Sequence, residues 1–276
     1  MVELGNCESR EAEFWDSKIS VDFADISSGD LIVEQGSFVD AHREELSYLG
    51  VGELYRLSLE ILGELSGKTV LDCGCGSGLT SVLLAKYGAL VHAIDISPVS
   101  REFTQARAKA NGVADKISSY VMDLQKLDFD DNTFDYVFGS FILHHVPISL
   151  VGREVYRVLA KGGKAVFIEN SANNKLLMLA RNTLAGKYGI PKYGSPDESP
   201  LSWRQINTLR QCFNDQLVVH YPSFIFFRLL AGYISFCGNP FAMRLLSQLD
   251  RFTFNCLPFL RKYTYFQIIE LRKEPV

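Results

Sequence analysis

Thr69-Val-Leu-Asp-Cys-Gly-Cys-Gly-Ser-Gly-Leu79 decides the fold of this chain. An apolar run, Thr69–Leu71, ends in the carboxylate Asp72 and enters a turn with Gly74, Gly76 and Gly78 at every second position. An apolar helix, Leu79–Lys86, follows. Glycines let a backbone turn sharply from strand to helix and let a ligand lie against it with no Cβ in the way. The helix start then offers unpaired N–H groups and a partial positive charge. The stretch reads as a strand, a ligand-holding turn and a helix, which is a nucleotide-type cofactor site.

Asp72 narrows the choice of cofactor. A dinucleotide turn carries a pyrophosphate and spaces its glycines G-x-G-x-x-G; here the sixth position is Leu79. Phosphates beside Asp72 would set like charges together in a partly dry crevice, so NAD and FAD fit badly. No Gly-Lys-Ser/Thr closes the loop, which excludes a P-loop. S-adenosylmethionine has no phosphate and carries an ammonium and a sulfonium, both suited to a nearby carboxylate. An ordinary glycine-rich turn is the plain alternative, and the context argues against it. A second strand, Leu90–Ile94, ends in Asp95, about 20 residues beyond the glycines, where a carboxylate grips a ribose diol. Ser97-Pro98 opens a helix that runs to Asn111-Gly112. A third strand, Ile117–Met122, ends in Asp123. Three consecutive strands thus deliver an Asp to the same end of a sheet.

Asp72-x-Gly-x-Gly-x-Gly78, Asp95-Ile-Ser, Asp123-Leu, Asp135-Tyr-Val-Phe-Gly-Ser140 and Arg157-Val-Leu-Ala-Lys-Gly-Gly163 occur in order across roughly Gly67 to Asn170. Together they resemble the class I S-adenosylmethionine-dependent methyltransferases, in particular the small-molecule group around ubiquinone and menaquinone biosynthesis. The resemblance implies that Gly74, Gly76 and Gly78 lie along the methionine part of the cofactor. Asp95 would hold the ribose, Ile96 and Leu124 would sandwich adenine, Asp123 would accept from its amino group, and Ser140 would stand near the ammonium. S-adenosyl-L-homocysteine is the implied product, and no metal is expected. Cys73 and Cys75 stand where the family varies, and Ala160 stands where lysine is common.

Composition fits a cytoplasmic small-molecule enzyme. The 28 basic and 32 acidic residues leave a net charge of −4, and no basic stripe offers a nucleic-acid groove. Six cysteines show neither a C-x-x-C pair nor zinc spacing, and read as reduced core thiols. The amino terminus lacks a basic, apolar leader pattern. The expected architecture is α/β: a Rossmann-like, seven-stranded, mostly parallel sheet with helices on both faces and a helical cap. Residues 1–66 read as an N-terminal helical lid, with helical spacing in Arg10–Ser17, Asp40–Tyr48 and Gly52–Leu65. Residues 67–276 read as the core, with cap insertions at about 171–214 and 224–262.

Trp15, His42, Tyr48, Tyr55 and Arg56 are the lid residues able to touch a ligand, although helical aromatics usually pack a core. The Gly/Pro-rich stretch Gly186–Pro200 reads as a mobile lid segment, and Ser202-Trp-Arg-Gln205 as a capping box. Phe224–Arg261 is dense in Phe, Leu and Met but is broken before any run long enough to span a bilayer. It reads as a cap over a greasy substrate, with Phe226 in contact; a peripheral membrane surface is the rival and plain packing the bland reading. His144 and His145, just past the fourth strand Phe134–Phe138, are the candidate general bases. Glu169 and His220, at the ends of the fifth and sixth strands, are weaker candidates, and Glu169 also suits loop orientation or substrate contact. The reaction these readings support is methyl transfer to an O, N or C atom of a small, largely apolar metabolite. A protein or peptide methyltransferase and a non-enzymatic S-adenosylmethionine-binding module are the alternatives. The oligomeric state is not legible.

Overall fold

The computed structural model describes residues 6–24, 31–34, 51–185, 187, 199–233 and 240–275. Tyr48 and His42, with the expected helix around them, lie outside these residues, as does most of Gly186–Pro200.

The first strand and helix of the glycine stretch form as their residues dictate. β1 (Thr69–Cys73) is buried from Val70 onward, and α3 (Leu79–Lys86) buries Thr80–Ala85. Strands shielded on both faces are continuously apolar rather than alternating. β2 (Leu90–Asp95), β3 (Ile117–Val121), β4 (Phe134–Ser140) and β5 (Leu159–Asn170) pair in parallel with their neighbours around β1. β6 (Leu217–His220) and β7 (Phe266–Arg272) complete a seven-stranded sheet of order β3-β2-β1-β4-β5-β7-β6, in which β7 runs antiparallel to both β5 and β6. The order reverses direction beside β1, and such a switch point is where open α/β sheets bind ligands.

Two apolar layers sandwich the sheet. On one face Val70, Phe138, Val166 and Ile268 pack with α3 and with α2 (Val51–Leu62). On the other, Leu71, Val137, Phe167 and Ile269 pack with α5 (Ile148–Val158) and α7 (Trp203–Cys212). α4 (Pro98–Ala110) is started by Ser97, whose side chain accepts from the Ser100 N–H. The Ser202/Gln205 capping box forms as its sequence indicates. α1 (Asn6–Ala24) packs on α4.

Beyond β5 come α6 (Lys175–Leu184), α8 (Phe227–Tyr233) and α9 (Pro240–Cys256), then a 3₁₀ segment, Pro258–Tyr263. The last strand therefore begins only at Phe266. Pro258 sits in the first turn of the 3₁₀ segment, whose fixed φ suits a helical start and delays the strand. One compositional reading needs correction. Cys256 is exposed and Cys212 only half-buried, so neither is a core thiol, whereas Cys73 and Cys75 are buried. The aromatics of Phe224–Arg261 do not all turn inward: Phe224 is buried, whereas Phe241, Phe252 and Phe259 are exposed. α9 explains the split, because its buried face carries Asp250 and Thr253 and puts Phe252 on the outside.

Candidate cofactor and active site

The glycine turn is shaped by its neighbours. Gly78 has φ +77, and a Cβ there would stand 2.7 Å from the Thr104 backbone, so the close approach of α4 requires glycine. Gly76 differs. At φ +51, its missing Cβ would meet nothing within 4 Å, so the turn presents bare backbone to open space at this point.

α4 holds the turn from below. Thr104 donates from its hydroxyl to the Gly76 carbonyl at 3.3 Å, and the buried Arg107 donates to the Ser77 hydroxyl at 2.9 Å. Thr104 and Arg107, three apart on the buried helix face, went unread in the sequence; a polar pair on an otherwise apolar face was the available signal.

The carboxylates converge as the strand ends imply. Asp95 accepts from the Gly76 N–H and the Ser97 N–H, each at 2.9 Å, which ties the glycine turn of β1 to the end of β2. Burial raises the Asp95 carboxyl above its usual range, and these backbone N–H groups partly offset the rise. Asp72 is 2% exposed and accepts from the Ser81 hydroxyl at 2.6 Å. Desolvation pushes its pKa up to about 7, opposed by the Ser81 bond and reinforced by the charge of Asp95. No salt bridge joins a described Lys or Arg to either carboxylate. A cationic ligand meets that deficit, while a phosphate would deepen it. The residues present therefore fit S-adenosylmethionine.

Asp123 accepts from the Gln125 N–H at 2.9 Å in a tight turn after β3, and Leu124 is buried in the second apolar layer. Ile96 is half-buried beside Asp95, and Ser140 is half-buried at the end of β4. Gly74 sits with its α-carbon against Ile142, where a Cβ would stand 2.8 Å from the Ile142 side chain.

Past β4 the chain folds back on itself. Phe141 takes φ +55, and Leu143–His145 forms a 3₁₀ turn. Glu169, fully buried at the end of β5, organises that turn: its Oε1 accepts from the Ile142 N–H at 2.9 Å and the Leu143 N–H at 2.6 Å. Its Oε2 lies 2.6 Å from His144 Nδ1, with the two side chains 0% and 2% exposed. A carboxylate can only accept, so Nδ1 is the protonated nitrogen and Nε2 becomes the ring's acceptor. His145 lies with its ring centroid 4.2 Å from that of His144 and 5.7 Å from that of Trp15 on α1. Asp16, next along α1, accepts from the Ser97 hydroxyl. α1 thus touches both the β2 and β4 ends. Trp15 was legible as a ligand-side candidate, but Asp16 was not, because nothing in a polar helix marks the one carboxylate that docks.

Aromatic rings stand at the same end of β4 and β5. Tyr55 on α2 lies 6.3 Å from Phe138, and Phe141 lies 5.9 Å from Phe266. Phe226 precedes α8, and its N–H donates to Asp250 at 3.0 Å. His220 instead pairs with Glu270 at 2.7 Å on β6 and β7, on the far side of the sheet from the glycine turn in strand order.

Residues 71–167 match the methyltransferase domain family. Among similar proteins, a probable chloroplastic tocopherol O-methyltransferase of rice is 32% identical over 49% of this chain and 40% of its own length. A demethylmenaquinone methyltransferase of Staphylococcus aureus is 26% identical over 67% of this chain and 77% of its own. The chain spans half or less of the length of the curated relatives it matches at 32–38% identity. In fold, the whole chain is similar to the geranyl diphosphate C-methyltransferase of Streptomyces coelicolor, with a TM-score of 0.61 at 14% identity and all of both chains covered. The matched residues include the glycine turn and the Asp72, Asp95 and Asp123 strand ends; α1 and α8–α9 lie outside them.

The Asp95 geometry yields a direct test. Asp95→Ala removes two charge-assisted bonds to backbone N–H groups and the ligand's carboxylate partner. Each such bond contributes roughly 1.5–3 kcal/mol, so S-adenosylmethionine affinity should fall by at least about tenfold. Titration calorimetry measures this, and an unchanged dissociation constant would rule out the cofactor assignment.

Proposed function

We propose that this protein transfers a methyl group from S-adenosylmethionine to an O, N or C atom of a small, largely apolar metabolite. The observation that carries the reading is the buried Asp72 and half-buried Asp95 beside a glycine turn open at Gly76. The cofactor, when bound, supplies an electrophilic methyl on a sulfonium leaving group. The protein's part is to align the nucleophile and take its proton. Glu169 fixes His144 as the proton acceptor at Nε2, following the orienting-carboxylate logic of catalytic triads. His145 lies against that histidine and Trp15 against His145.

An apolar substrate is supported by the half-buried rings of Tyr55 and Phe141 near the end of β4. The rice relative's name specifies tocopherol and the Streptomyces enzyme's specifies geranyl diphosphate, and both of those substrates carry hydrocarbon. Residues 1–66 act as a lid through α1, and the segments around 171–214 and 224–262 as caps. A cytoplasmic setting suits the four free cysteines among the described residues.

Incubation with isotopically labelled S-adenosylmethionine and a lipid-soluble cell extract, followed by mass spectrometry, tests the proposal. Label in one small apolar product, with stoichiometric S-adenosyl-L-homocysteine, is expected. Label confined to protein would favour a protein methyltransferase, and tight cofactor binding without turnover on any fraction would favour a binding module.

A further inference from the structure

We infer that the outer face of α9 and the 3₁₀ segment Pro258–Tyr263 is a docking surface for an anionic lipid bilayer. Leu245, Leu249 and Phe252 fall at i, i+4 and i+7, a single stripe along α9, and with Phe259 they are 40–66% exposed. Leu176 and Leu179, at 54% and 60% exposed, lie on α6. The two pieces are joined, because the Asn173 and Asn174 side chains donate to the Lys262 and Tyr263 carbonyls at 3.3 and 3.1 Å. Solitary exposed apolar residues need no explanation; a continuous ridge of this kind marks an interaction site.

Charge selects the occupant. Between Pro240 and Tyr263 the charged residues are Arg244, Asp250, Arg251, Arg261 and Lys262. The single acid, Asp250, is 1% exposed and faces inward, accepting from the Phe226 and Phe227 N–H groups and pairing with Arg228 at 2.9 Å. Arg244, Arg251 and Lys262 are exposed. The ridge is therefore cationic and apolar on a chain whose net charge is −4. Exposed Phe and Leu flanked by Arg and Lys, with no exposed carboxylate, is the pattern of a helix lying in the headgroup region of an anionic leaflet. The inward face of α9 is held by buried hydrogen bonds, so the outer face is presented on a fixed helix.

The docking would set the protein beside the phase in which an apolar substrate dissolves, yet it does not depend on methyl transfer. The test is co-sedimentation without cofactor, using vesicles of phosphatidylcholine alone and of phosphatidylcholine doped with phosphatidylglycerol. Binding to the doped vesicles, at least about tenfold stronger than to neutral ones and weakened by salt, is the expected result. Phe252→Ser with Phe259→Ser, and separately Arg244→Glu with Arg251→Glu, should each lose that binding while S-adenosylmethionine affinity and melting temperature hold. Absence of binding, or equal binding to both vesicle types, overturns the inference. So does a wild-type dimer in sedimentation equilibrium that Phe252→Ser dissolves, since the face would then be a self-association surface. Because vesicle binding and turnover are read separately, failure of one leaves the other standing.

Discussion

His144→Ala is expected to lower turnover by about 10²–10⁴-fold while leaving S-adenosylmethionine affinity unchanged. The expectation follows from Glu169, which holds Nδ1 at 2.6 Å and leaves proton acceptance to Nε2. Glu169→Gln should reproduce much of the loss, because an amide cannot fix the tautomer in the same way. A purely structural role for the pair makes a different pattern. The 3₁₀ turn would loosen and the melting temperature would drop in both variants, but the acidic limb of the pH–rate profile would persist. Near-normal rates in His144→Ala and His145→Ala would show that neither imidazole takes the proton. The nucleophile would then be an amine or an already acidic hydroxyl, for which alignment suffices.

Two neighbouring glycines should fail in opposite ways. Gly76→Val places a branched side chain where nothing stands within 4 Å, so it blocks the cleft without striking the protein. Cofactor binding should disappear while the far-ultraviolet dichroism stays native, with some loss of stability because φ is +51. Gly78→Ala instead drives a Cβ to 2.7 Å from the Thr104 backbone at φ +77. That variant should lose several kcal/mol of stability or fail to fold, since α4 would have to move off the turn. Wild-type affinity in Gly76→Val would show that the ligand does not lie on this turn. A Gly78→Ala protein as stable as the wild type would mean that α4 yields easily.

The glycine turn, the Asp72, Asp95 and Asp123 strand ends, and the sheet were legible because each rests on local chemistry. A strand-to-helix turn needs glycine, and a fully covered strand needs an unbroken apolar run. The antiparallel β7 inserts between β5 and β6, and nothing in Phe266–Arg272 alone encodes that slot. The Glu169–His144 bond joins residues 25 apart in sequence, and either side chain alone has several plausible partners. Asp16 and Arg107 were missed for the same reason: their identity is ordinary, and only the docking of one helix on another gives them a role. Which aromatics of the insertion face outward was not legible, because composition reports how much apolar surface exists and not which way it faces.

Asp72 has a consequence for protons. Its folded pKa of about 7 stands above the ordinary aspartate value of 3.8, so between those limits the native state binds a proton that the unfolded chain has released. Stability from this group is therefore fullest below about pH 4 and is lost as pH rises toward 7, the reverse of a salt-bridged carboxylate. A cation seated beside Asp72 favours the ionised form and expels that proton. Measured near pH 6, the heat of S-adenosylmethionine binding should vary with the ionisation enthalpy of the buffer, with a slope reporting proton release. Near pH 8.5, where Asp72 is already ionised, its share of that slope should vanish. Asp72→Asn should abolish the pH 6 release, and a release that survives the substitution would have to come from another group.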